Sequence, residues 1–247
     1  MILKEKRYFP FADSTRRLHI YLPDDYYCTK ERYPVMYYFD GHNLFENQEA
    51  TYGTCWGLKE FHDSWPKKMI IVGIECSHEG NQRLVEYCPY YFPRRFGKGF
   101  LGTGRETLKW LVQDVKPYID TAFRTYSHRE ATGIAGSSMG GLMALCAISE
   151  YNEIFSKAAC VSSAIGFCVY QVRKQIRNHT LDSNTRIYMS YGTKESRKKT
   201  EYNHSLLVEA FMEQECCVKM YVQENGVHCE RDWNKQVSIY MNYLWME

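Results

Sequence analysis

The stretch TGIAGSSMGGLMAL, Thr132 to Leu145, decides how the rest of the chain is read. From Glu130 to Ser137 the residues are small and apolar almost without interruption, as in a strand buried on both faces. From Gly140 to Tyr151 they are small and apolar over a length that suits a helix packed against a sheet. Between the two runs, Gly136-Ser137-Ser138-Met139-Gly140 has the form G-x-S-x-G. Either this is a plain strand-to-helix turn, or Ser138 is a nucleophile held at a sharp elbow. An elbow serine has unfavourable backbone angles and needs small neighbours, which Gly136, Gly140 and Gly141 supply. The turn also aims the hydroxyl away from the sheet, beside the free N–H groups of a helix start. The pattern alone arises by chance. Its place between strand and helix carries the assignment to Ser138, and Ser137 merely ends the strand.

Working outward, RLHIYLP (Arg17 to Pro23) alternates as a half-exposed strand does. YPVMYYFDG (Tyr33 to Gly41), KMIIVGIE (Lys68 to Glu75), KAACVSS (Lys157 to Ser163), RIYMSYG (Arg186 to Gly192) and VKMYVQ (Val218 to Gln223) read as buried strands. Helical patterns run over Arg105 to Phe123, with a break expected at Pro117, and over Ser205 to Glu215 and Trp233 to Trp245. Alternating strands and helices predict a mostly parallel sheet between two helical layers. The first two strands lack an intervening helix, so an antiparallel amino-terminal edge is expected.

A serine nucleophile needs a base. In a sheet of this type the chain order is serine, acid, histidine, with each partner after a later strand. Three histidines follow Ser138. His179 lies in a polar segment before a strand and His204 at a helix start. His228, in QENGVHCERDW, directly follows the last strand on a glycine-containing loop and is the expected base. The acid expected after the preceding strand is Glu195, in YGTKES, to hold the imidazole tautomer and steady the imidazolium. Asp182 precedes that strand, and Glu201 and Glu230 are the fallback acids. An oxyanion hole needs two N–H donors. The backbone amides of Met139 and of His42, in FDGHNLF (Phe39 to Phe45), are expected to supply them. Gly41 permits the turn, and a buried Asp40 is expected to brace it. The His42 side chain, ahead of Ser138, is not the base.

Composition narrows the remaining classes. The 247 residues are 45% hydrophobic, enough for a sizeable core, and no linker or repeat divides them, so one domain over 1–247 is expected. A net charge of +2, with only Arg94, Arg95 and Lys98 as a local basic patch, argues against nucleic-acid binding. The longest aliphatic run, MIIVGI (Met69 to Ile74), is far too short to span a bilayer. The amino terminus has no signal-peptide pattern, so a cytoplasmic location is expected. The ten cysteines, with no C-x-x-C pair, are expected to be free thiols. In that compartment the strings Asn178-His179-Thr180 and Asn203-His204-Ser205 have no meaning as glycosylation acceptors.

With these residues in place the chain resembles the "Putative esterase" family of α/β hydrolases, whose relatives include esterase D, feruloyl and acetyl-xylan esterases, enterochelin esterases and mycolyltransferases. The matching segments are YPVMYYFDGHNLF, IIVGIE followed by Arg83 and EYCPY, GIAGSSMGGLMAL, YGTKES and GVHCERDW, in the family's order. The resemblance implies an α/β-hydrolase fold and carboxylic ester hydrolysis through an acyl-enzyme. It also implies Ser138, Glu195 and His228 as triad, with the His42 and Met139 amides as oxyanion donors. No metal or cofactor is expected. The expected partner is a small-molecule ester, with no nucleic acid and no membrane, and a homo-oligomer is compatible with the sequence. Acyl transfer to an acceptor other than water and a non-catalytic binding protein of the same fold are the alternatives. The aromatic segment from Arg83 to Gly104 either shapes the pocket or packs in the core. With Tyr90, Tyr91 and Phe92 over Ser138 it would favour short-chain or aromatic acyl groups. Trp233 is expected in the core.

Overall fold

The computed structural model describes residues 1–93, 99–195 and 199–246. Its strands are β1 (Ile2–Phe9), β2 (Ser14–Tyr21), β3 (Val35–Phe39), β4 (Ile70–Ile74), β5 (Tyr91–Phe92), β6 (Phe100–Leu101), β7 (Thr132–Ser137), β8 (Lys157–Val161), β9 (Arg186–Gly192) and β10 (Cys217–Gln223). Eight of them form one sheet in the order β1-β2-β4-β3-β7-β8-β9-β10, and β5 and β6 make a separate small hairpin. From β4 to β10 all neighbours are parallel. The pairs β1–β2 and β2–β4 are antiparallel, as expected for the amino-terminal edge. The chain therefore folds as an α/β hydrolase, with a large, mostly parallel sheet. Strand β1 is an addition to the expected set. It reads ILKEKRYF and keeps only Phe9 buried, so its charged side chains guard an edge rather than fill a core.

Helices cover both faces. On one face lie α3 (Gly104–Trp110), α4 (Lys116–Ala122), α5 (Met139–Glu150), α6 (Val169–Asn178) and α7 (Thr200–Met212). Leu108, Ile119, Leu142, Val172 and Leu207 pack there against Ile134, Ala158 and Ile187 of the sheet. On the other lie α1 (Leu58–Ser64), α8 (Glu230–Asn234) and α9 (Val237–Trp245), where Trp56, Leu58, Trp233 and Tyr240 meet Met36, Tyr38 and Tyr188. A short helix, α2 (Gln82–Glu86), follows β4.

The helix expected over Arg105 to Phe123 widens into a π turn at Leu111–Val115, and Pro117 stands in the first turn of α4. A proline has no N–H to return to the preceding turn, and the wide turn gives its ring room. The last expected helix is divided into α8 and α9. All ten cysteines are free, and Cys146 and Cys160 are wholly buried. Among the described residues no helix is long and apolar enough to cross a membrane. Arg94, Arg95, Phe96 and Lys98 lie outside the described residues.

Candidate active site

Ser138 sits between the end of β7 and the start of α5 with φ 56° and ψ −118°. A positive φ is costly for any residue with a Cβ and persists only where the surroundings impose it. Here they do. The Ser138 amide donates to Val161 O of β8 at 3.0 Å, and its carbonyl accepts from Ala164 N at 2.9 Å and Leu142 N at 3.1 Å. The neighbouring glycines leave no alternative: a Cβ on Gly136 would lie 2.5 Å from Gly140 C, and one on Gly141 would lie 2.6 Å from Ser163 Oγ. The G-x-S-x-G spacing thus has a steric cause, because strand end and helix start touch backbone to backbone.

Glu195 and His228 are 33 residues apart in sequence, yet the imidazole Nδ1 hydrogen-bonds Glu195 Oε2. Their loops are clamped together. Thr193 N donates to Gln223 O and Lys194 N to Gly226 O, both at 3.0 Å, and a Cβ on Gly192 would meet Gly226 O at 2.3 Å. The other carboxylate oxygen accepts from Ser162 Oγ at 2.6 Å and from the Gly192 amide. Burial raises the Glu195 carboxyl, but the His228, Ser162 and Gly192 hydrogen bonds outweigh it, so its pKa lies below the ordinary value. The carboxylate is therefore ionised at neutral pH and fixes the tautomer with Nδ1–H toward itself.

Ser162 is a member of this network that sequence reasoning missed. It follows β8 with φ 45° and is 5% exposed. Its hydroxyl donates to Glu195 and accepts from Trp233 Nε1 at 3.0 Å. The Trp233 ring, buried as expected, also meets the His228 ring edge to face at 4.9 Å. Trp233 is thus a core residue that touches His228 and, through Ser162, reaches the Glu195 carboxylate. Nothing in the run KAACVSS sets Ser162 apart from Ser163.

Among the described residues neither fallback acid hydrogen-bonds the His228 ring, which faces Glu195. Glu201 is exposed in the first turn of α7. Glu230 is buried in the first turn of α8, where burial raises its pKa. Asp182 precedes β9, near Arg129 at 3.9 Å. His179 Nδ1 and His204 Nδ1 each face a backbone carbonyl at 2.8 Å, of Gln175 and Thr200 respectively.

The turn after β3 carries His42 in a 3-10 turn, Gly41–Asn43, that starts from Asp40 in the left-handed region at φ 61°. Asp40 is braced as expected. Arg83 grips both carboxylate oxygens at 2.7 and 2.8 Å, and the Tyr87 hydroxyl accepts from the Asp40 amide at 3.2 Å. Burial pushes this carboxyl up, and the Arg83 charge and hydrogen bonds more than reverse it. Gly41 is required because a Cβ there would lie 2.5 Å from Gly73 C of β4. The turn borders the elbow: a Cβ on Gly140 would meet Phe39 Cβ at 3.0 Å and Asp40 Oδ2 at 3.3 Å. Among the described residues neither the His42 nor the Met139 amide donates a hydrogen bond to the protein. Both amides are thus available as donors.

The aromatic segment divides between the two readings. The Tyr90 hydroxyl donates to Gln175 Oε1 at 2.7 Å and lies 3.5 Å from Cys146 Sγ, two turns along α5 from Ser138. Tyr90 therefore braces α5 against α6 instead of overhanging the serine, because a half-buried phenol goes where a partner for its hydroxyl exists. Phe92 stacks on Phe100 at 5.0 Å and meets Phe167 at 4.8 Å. Tyr91 is 51% exposed.

Residues 12–238 match the family described as "Putative esterase". A Bacillus subtilis (strain 168) protein, "Uncharacterized protein YbbA", is 27% identical over 245 residues, covering 93% of this chain and 92% of its own. The crystal structure of a BES protein from Bacillus cereus superposes with a TM-score of 0.75 at 18% identity, over 98% of this chain and 94% of that one. An IroE-like serine hydrolase from Shewanella oneidensis does so with a TM-score of 0.76 at 18% identity, over 98% and 80%. The structural likenesses carry the fold, and the family match spans nearly the whole chain: the protein belongs to the "Putative esterase" family and is a carboxylic ester hydrolase.

Proposed function

We propose that ester hydrolysis proceeds by a Ser138-His228-Glu195 triad through an acyl-enzyme. The observation that carries this reading is the strained Ser138 backbone at φ 56°, followed by a helix start whose first amide is free. Ser138 Oγ attacks the ester carbonyl carbon while His228 Nε2 takes the hydroxyl proton. The developing oxyanion accepts hydrogen bonds from the Met139 and His42 amides. His228 returns the proton to the departing alkoxide, which leaves as the alcohol. Water, deprotonated by His228, then attacks the acyl carbon, and the proton passes back to Ser138 as the acid departs. Glu195 stays ionised throughout and stabilises the imidazolium.

The substrate proposed is a short-chain or aromatic acyl ester. Phe92, Phe100 and Phe167 cluster, and Phe167 lies three residues beyond Ala164, whose amide binds the Ser138 carbonyl. Set beside the acyl carbon, such a cluster would suit a ring and leave little length for a chain. A fluorophosphonate probe tests the mechanism. Wild-type protein should label stoichiometrically and Ser138→Ala not at all; equal labelling of both would place the nucleophile elsewhere. A cytoplasmic location is proposed from the ten free cysteines, which suit a reducing compartment, and its test is fractionation of the native cell.

A further inference from the structure

The end of β4 and the turn after β3 bring together three metal-ligating side chains with no part in the acyl transfer. His42, Glu75 and His78 each offer a ligand atom within 4.8 Å of the other two. The His42 side chain belongs to a residue only 6% exposed. Its Nε2 lies 2.9 Å from Thr51 Oγ1, while Nδ1 is buried without a hydrogen-bond partner among the described residues. An imidazole that donates from Nε2 presents its lone pair at Nδ1, the arrangement found where a histidine ligates a metal and its other nitrogen is held by the protein. A buried polar atom left unpaired costs on the order of 1–3 kcal/mol, and a cation at Nδ1 would remove that cost.

Glu75 is oriented in the same sense. His19 Nε2 at 2.7 Å and Arg17 Nη1 at 3.4 Å hold Oε1, which leaves Oε2 facing His78 Nε2 at 3.8 Å. His78 is the exposed member: its side chain is 57% exposed, and its ring stands edge-on to that of His42 at 4.5 Å. Metal bonds of about 2.0–2.1 Å need donors roughly 3.3 Å apart, so a rotation of His78 closes the site.

We propose that His42 Nδ1, Glu75 Oε2 and His78 Nε2 bind a divalent transition-metal ion of the zinc class, with water as fourth ligand. Two imidazoles and one carboxylate favour such an ion over calcium or magnesium. The ion ties the turn after β3 to the end of β4. That this turn supplies an oxyanion donor rests on the function proposed above; the binding itself does not.

The test uses reduced, tag-free protein, cobalt(II) absorption and zinc(II) calorimetry. Wild type should bind one ion per chain and melt at a higher temperature with metal than without. His78→Ala, an exposed substitution, should bind on the order of 10²-fold more weakly and keep its metal-free melting temperature. Glu75→Gln should weaken binding similarly. Absence of binding, an unchanged affinity in His78→Ala, or a cobalt spectrum dominated by thiolate charge transfer would each overturn the proposal, the last by placing the ion on cysteine. Binding that survives in Ser138→Ala keeps the metal site independent of the hydrolytic assignment.

Discussion

The Glu195 carboxylate receives hydrogen bonds from His228, Ser162 and the Gly192 amide, so the imidazole is aimed by a group that is itself held at two further points. Removing the attacking atom should cost most. Ser138→Ala is expected to lower kcat by up to about 10⁶ with the fold retained, checked by steady-state kinetics beside circular dichroism. Glu195→Gln keeps the size but loses the charge, and kcat should fall on the order of 10⁴; a larger loss in Glu201→Gln or Glu230→Gln would reassign the acid. Ser162→Ala removes one anchor of Glu195 and leaves Trp233 Nε1 unpaired. It should lower kcat on the order of 10-fold to 10²-fold with KM nearly unchanged, and Ser162→Thr, which keeps the hydroxyl, should recover part of it. Ser138, Glu195 and His228 stood out in the sequence because each follows closely on an apolar strand. Ser162 did not, because its positive φ and its bond to Glu195 exist only once β8 and β9 are side by side.

At the scale of elements, the turn after β3 shows how backbone crowding sets a site. Gly41 passes so close to Gly73 that the nearest contacts of an added methyl would be backbone atoms at 2.5 to 2.9 Å, which cannot rotate away. Gly41→Ala should displace the His42 amide and cut kcat by about 10²–10³ with a smaller change in KM, as loss of one oxyanion donor does. If turnover is unchanged, the second donor is another amide. Arg83 acts on the same turn through Asp40. Arg83→Met would leave a buried carboxylate unpaired and should destabilise the fold by about 3–5 kcal/mol in a urea melt. The glycine and the aspartate of this loop were readable as a turn and its brace; the Arg83 contact was not, since 43 residues separate the pair. The aromatic segment was ambiguous in sequence for a physical reason. Tyrosine and phenylalanine serve core and pocket alike, and only Gln175 and Cys146, on two other helices, settle Tyr90 as a brace.

For the whole molecule, the mostly parallel sheet and its antiparallel edge followed from where helices interrupt the apolar runs. Strand β1 escaped notice because an edge strand with charged side chains lacks the apolar run that marks the others. Helix α6 escaped too, though Val169, Val172 and Ile176 form its buried stripe. The two cores beneath these layers differ in one property with a measurable consequence. The face carrying α1 encloses His62, 5% exposed among the rings of Tyr21, Phe61 and Trp65, with both ring nitrogens unpaired among the described residues. Burial there penalises the imidazolium and lowers the pKa to about 3. The unfolded chain protonates the same group near 6.5. A histidine with a depressed folded pKa lets the unfolded state take up the proton first. Its contribution is thus intact above about pH 6.5 and is lost as pH falls toward about 3. Between pH 7 and pH 5 the loss from this group alone is about 2 kcal/mol. His62→Leu removes the titration and both orphan nitrogens. It should leave stability at pH 7 within about 1.5 kcal/mol of wild type and reduce the drop between pH 7 and pH 5 by about 2 kcal/mol. His42 and His204, also depressed by burial, remain in both proteins and cancel in the comparison. Urea melts of the two proteins at the two pH values measure the difference, and equal losses would place the acid-sensitive group outside this core.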